Sequence, residues 1–76
     1  MFKVNDKELS LSQAIIYIRA VKMRSTTKDF VKLTGVSSKT LCDIECGRIK
    51  KPHAGTLIKI ANACDVEPTD LLDYLS

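Results

Sequence analysis

Apolar residues recur at three- and four-residue intervals along most of the chain, and short polar stretches interrupt them. Ala14, Ile15, Ile18 and Val21 make one helical stripe that ends near Met23, with Ser10 or Ser12 placed to cap it. Thr26 or Thr27 caps a second helix, which carries Phe30, Val31 and Leu33 and stops at Gly35. Glycine there can take the left-handed conformation that ends a helix. A third helix starts at Ser37, turns Leu41 and Ile44 inward and stops at Gly47. Residues 48–52 read as a basic loop, because Pro52 has no N–H to continue the helix. A fourth helix over residues 54–64 carries Leu57, Ile58, Ile60 and Ala61. A fifth opens on Pro68, a good first helical position, and carries Leu71, Leu72 and Leu75.

Ahead of the helices, FKVNDKEL alternates apolar and polar residues around Asn5 and Asp6. That pattern predicts a short β-hairpin with Phe2 and Leu9 on one face, or else a frayed arm. The expected fold is all-α, a compact bundle of about five short helices, with residues 1–10 as an arm or hairpin and 11–76 as the helical domain. The link Thr34-Gly35-Val36-Ser37 has the length and glycine placement of a helix-turn-helix.

Seventy-six residues allow one domain and leave little room for an enclosed active site. The sequence has no apolar run long enough to cross a bilayer, and its opening lacks the apolar block of a secretory signal. Three cysteines without a close CxxC pair fit free thiols in a reducing compartment, so the expected location is the cytoplasm. They read as two small, partly buried hydrophobes and one surface thiol. Cys42, Cys46, His53 and Cys64 do not read as a zinc set, since the first two share one helix and the others fit no familiar spacing. No metal, cofactor, small-molecule ligand or catalytic constellation is expected, and no enzyme.

The net charge of +3 is unevenly spread. Residues 1–18 are balanced, residues 19–59 set ten basic side chains against Asp29, Asp43 and Glu45, and residues 60–76 carry four acids and no base. A basic centre points to a polyanionic partner.

In order and spacing, the chain resembles the lambda-repressor-like family of helix-turn-helix domains, which includes the phage Cro and repressor proteins. The matching positions are Thr26, Gly35-Val36-Ser37, Thr40-Leu41, Ile44-Glu45-Cys46-Gly47, Pro52, Thr56-Leu57, Ile60-Ala61, Ala63, Val66 and Asp70-Leu71-Leu72. Together they cover about residues 12–75. There are two departures. Thr27 stands where the family usually has a glutamine that touches phosphate or the first base. Arg19, the candidate ion-pair partner of Glu45, lies one residue further from the second helix than usual. Either the turn at residues 23–25 is one residue longer or the pair is lost. The internal spacing of Ile15, Ile18 and Arg19 favours the longer turn.

The resemblance implies that the third helix enters the major groove of double-stranded DNA. Burial of Leu41 and Ile44 would then turn Ser37, Ser38, Lys39, Cys42 and Asp43 toward base edges. Lys39 can donate to guanine O6 and N7, and Asp43 either accepts from cytosine or restrains Lys39. Phosphate contacts are expected from Thr26, Thr27 and Lys28 at the second helix N-terminus and from Arg48, Lys50 and Lys51 in the loop. Family members bind as symmetric dimers, which makes Val66, Pro68, Leu72, Tyr74 and Leu75 dimer candidates and the hairpin a second one. The expected function is a dimeric transcriptional repressor on a palindromic operator. The alternatives are a DNA-binding antitoxin, or a protein-interaction module that binds another regulator.

Overall fold

The computed structural model describes residues 2–75. The chain begins with a hairpin of β1 (Lys3–Val4) and β2 (Lys7–Glu8), antiparallel, with Lys3 opposite Glu8 and Val4 opposite Lys7. Asn5 and Asp6 turn the corner with φ of 52° and 65°. Two successive left-handed residues form the turn whose twist matches that of the flanking strands, and Asn and Asp tolerate it best after glycine.

Five α-helices follow: α1 (Leu11–Tyr17), α2 (Thr27–Thr34), α3 (Ser38–Glu45), α4 (Ala54–Ala63) and α5 (Pro68–Leu72). Local chemistry sets most of their ends. Ser10 caps α1 in a reciprocal box: its hydroxyl accepts from the Gln13 N–H while the Gln13 side chain accepts from the Ser10 N–H. Thr26, not Thr27, caps α2 by accepting from the Asp29 N–H. Ser37 caps α3 by accepting from the Thr40 N–H. Gly35 (φ 75°) closes α2 in the left-handed conformation, and Gly47 (φ 80°) does the same just beyond α3. His53 stands at the α4 N-cap without a side-chain bond.

The end of α1 departs from the simple stripe. Residues Ile18–Lys22 form a π-helical turn, in which the Met23 N–H reaches back five residues to the Ile18 carbonyl at 2.9 Å. The Ser25 N–H bonds the Arg19 carbonyl at 2.9 Å, and Arg24 takes a φ of 49°. The wider turn shifts the buried face from position 21 to position 23. Val21, expected in the stripe, is 53% exposed, while Met23 packs against the core. The additional residue between Arg19 and α2 is therefore taken up inside the helix rather than in the turn after it.

One core joins all five helices: Ile15 from α1, Ile18 from the π turn that follows it, Phe30 from α2, Leu41 and Ile44 from α3, Leu57 and Ile60 from α4, and Leu71 from α5 are fully buried. Leu33, expected on the buried stripe of α2, is 44% exposed, because Phe30, Val31 and Thr34 take the inward positions. Thr34 is a buried polar residue with its needs met. Its hydroxyl donates to the Phe30 carbonyl at 2.8 Å and accepts from the Val36 N–H at 3.2 Å. That bond secures the turn between α2 and α3 from inside.

The hairpin is held by the other end of the chain. In a 3₁₀ turn after α5, the Tyr74 hydroxyl donates to the Leu9 carbonyl at 2.6 Å and accepts from the Phe2 N–H at 3.2 Å. Phe2 also meets Tyr17 ring to ring at 5.8 Å. A two-stranded hairpin is marginal alone in water; here it rests on α1 and the closing turn.

Candidate nucleic-acid interface

The geometry of the site starts from the inner face of α3. Leu41 and Ile44 are fully buried, three residues apart, so they fix the rotation of the helix about its axis. Ser37, Ser38, Lys39 and Cys42 are consequently exposed, and Asp43 is half-buried at the edge. Lys39 forms no ion pair among the described residues. Asp43 instead meets Arg48 at 3.6 Å, and the Asp43 carbonyl accepts from the N–H groups of Arg48 and Ile49. The restraint considered for Lys39 is thus directed to the loop, because the left-handed Gly47 folds residues 48–49 back over the end of α3.

A second ion pair holds the end of α3 against the π turn that follows α1. Arg19 donates from Nη2 to the Glu45 carboxylate at 2.9 Å and from Nε at 3.0 Å, both side chains being largely buried. Its Nη1 donates to the Ser25 carbonyl at 3.2 Å. The hydrogen bond to Glu45 holds the Arg19 guanidinium above its ordinary pKa, against the opposing effect of burial. A two-bond arginine–carboxylate fork fixes orientation as well as distance.

The cationic groups lie around this frame. Thr26, Thr27 and Lys28 are exposed at the start of α2, where the Thr26 hydroxyl takes the Asp29 N–H and helix geometry leaves the Thr27 and Lys28 N–H groups without an intrahelical partner. Arg48, Lys50 and Lys51 are exposed, while Pro52 is buried and Ile49 packs against the core. The loop is therefore anchored by its apolar members and presents its bases. Ile49 was legible only as a lone apolar residue in a basic run.

The cysteines divide differently from the sequence expectation. Cys42 and Cys46 are both exposed and only Cys64 is buried. The Cys42 and Cys46 sulfurs lie 3.8 Å apart, one helical turn apart on α3 and its cap. This contact pushes the Cys42 thiol pKa up, and burial does the same for Cys64.

Among the dimer candidates, Val66 belongs to the monomer's own core and the Tyr74 hydroxyl is committed to the hairpin. Pro68, Leu72 and Leu75 are half-buried. No helix of the described residues is long and apolar enough to cross a membrane.

Two helices joined by a glycine turn, the second presenting a polar edge and followed by an anchored basic loop, define a helix-turn-helix DNA-binding domain. A family model of the Cro/C1-type HTH DNA-binding domain matches residues 16–75, and the chain belongs to that family. It is a DNA-binding regulator, of a family that is typically not enzymatic. Searches of curated proteins and of solved structures gave no match.

Proposed function

We propose that this protein is a transcriptional repressor that acts in the cytoplasm as a homodimer on a palindromic operator. The observation that carries the reading is the orientation of α3, with Leu41 and Ile44 buried and Ser38, Lys39 and Cys42 exposed on the opposite edge. Set in the major groove, Lys39 donates to guanine O6 and N7, Ser37 and Ser38 donate or accept, and Cys42 touches a thymine methyl. Asp43 stays at the edge with Arg48. Thr26, Thr27 and Lys28 hold one phosphate through side chains and the α2 N-terminus, while Arg48, Lys50 and Lys51 hold others. These contacts set register, and the α3 edge reads sequence. The reading domain is residues 11–76, with residues 1–10 as an accessory hairpin.

One α3 covers too few base pairs to single out a genomic site, which favours two copies on half-sites about one helical turn apart. Pro68, Leu72 and Leu75 supply the dimer contact near the acidic end of the chain, away from phosphate. Repression follows from occupying a site that polymerase needs. Selection of duplexes from a random pool tests the reading: wild type should recover a palindrome, and Lys39→Ala should change the bases recovered at its position. An unchanged selection with the variant would remove Lys39 from the reading edge, and no enrichment at all would overturn the repressor assignment.

A further inference from the structure

We propose that Cys42 and Cys46 form a two-thiolate site for a soft monovalent d10 cation of the copper(I) class, and that its occupancy is incompatible with DNA binding. The second half rests on the reading of α3 given above. The two sulfurs are 3.8 Å apart and both residues are exposed to solvent. Cys46 caps α3 in near-helical conformation, φ −83° and ψ −6°, with its N–H bonded to the Cys42 carbonyl at 2.8 Å. The pair therefore keeps the spacing of residues four apart on a helix, whose Cβ atoms are about 5–6 Å from each other.

That spacing selects among the reactions open to two thiols. A disulfide needs its Cβ atoms about 3.5–4.5 Å apart, so closing one here would unwind the last turn of α3. A single atom placed between the sulfurs removes the conflict. Two thiolates about 2.3 Å from a common metal, at a tetrahedral angle, stand about 3.8 Å apart. Exposed side chains can open further to the linear arrangement that monovalent d10 ions accept. No group of three or more His, Cys, Asp or Glu side chains able to hold a metal is present among the described residues. Asp43, between the two cysteines in sequence, faces Arg48. The site is consequently a low-coordination sulfur site, which suits copper(I) and disfavours hard cations.

Binding converts two thiols and one monovalent cation into a bis-thiolate complex and two released protons. The complex carries one negative charge where the free thiols carry none. It sits on the edge that carries Ser38 and Lys39, so it adds bulk and repulsion where a duplex would approach.

The test uses silver nitrate, a redox-inert stand-in for copper(I), added to the reduced full chain in chloride-free buffer. Native mass spectrometry and the thiolate-to-silver absorption band read occupancy in the presence of an excess of a small monothiol. Wild type and Cys64→Ala should retain one silver per chain, and Cys42→Ser and Cys46→Ser should lose it, with circular dichroism showing each variant folded. Retention by either single-serine variant, or loss by wild type, overturns the site. A second arm measures affinity for a selected duplex after free silver is removed. Silver should weaken wild type at least tenfold and leave Cys46→Ser unchanged; equal affinity of loaded and unloaded wild type overturns the exclusion of DNA. If unloaded protein binds no duplex, the repressor reading falls and with it the exclusion of DNA, while the silver arm still decides the site.

Discussion

Arg19 grips both carboxylate oxygens of Glu45, with Nη2 to Oε1 at 2.9 Å and Nε to Oε2 at 3.0 Å, and so ties the end of the first helix to the end of α3. A third bond from Nη1 to the Ser25 carbonyl fixes the turn between them. Glu45→Ala leaves a largely buried guanidinium without its partner, which should cost about 2 kcal/mol. In a chain of this size that lowers Tm by roughly 10 °C, readable by thermal melting. Arg19→Lys should lose most of the same stability, because an ammonium cannot form the fork.

Gly35 has a φ of 75°, and a Cβ added there would meet nothing within 4 Å. The cost of Gly35→Ala is therefore backbone strain alone, about 1 kcal/mol by denaturant titration. Gly35→Asn should cost less, since asparagine visits the left-handed region more readily. A cost of several kcal/mol for alanine would mean a steric clash at the turn instead.

Tyr74 joins the closing turn to the hairpin, and burial raises its pKa above the ordinary 10.0. A raised folded-state value means that its contribution to stability is fully present below pH 10.0 and is lost as pH climbs through the folded value. Tyr74→Phe should cost about 1 kcal/mol at neutral pH. The gap between the two proteins should narrow in strongly alkaline solution; a gap that widens there would contradict the assigned direction.

Lys50 and Lys51 are exposed beside the anchored Ile49 and Pro52. In the proposed dimer, about four phosphate contacts per subunit give a log–log salt slope of roughly −7. Replacing either lysine with alanine should make that slope shallower by about 2, one contact per subunit, without altering the preferred sequence. A change of sequence preference would place that lysine at a base edge.

Much of this architecture is written in residues that act on neighbours within one helical turn. Ser10, Thr26 and Ser37 start helices, Gly35 and Gly47 end them, and Asn5-Asp6 turns the hairpin. A cap or a left-handed residue works through hydrogen bonds and sterics three or four positions away, so sequence alone determined the five α-helices and their order, and offered the hairpin beside a frayed arm. Periodicity likewise put Leu41 and Ile44 inside, and their burial implied the outer edge of α3. Tertiary structure decided whatever depends on partners distant along the chain or on a change of helical period. The π turn moved burial from Val21 to Met23, and no short pattern announces a five-residue reach. Packing turned Asp43 to Arg48 and exposed both Cys42 and Cys46. The bond from Tyr74 to Leu9 spans 65 positions, a distance that only the assembled core can close.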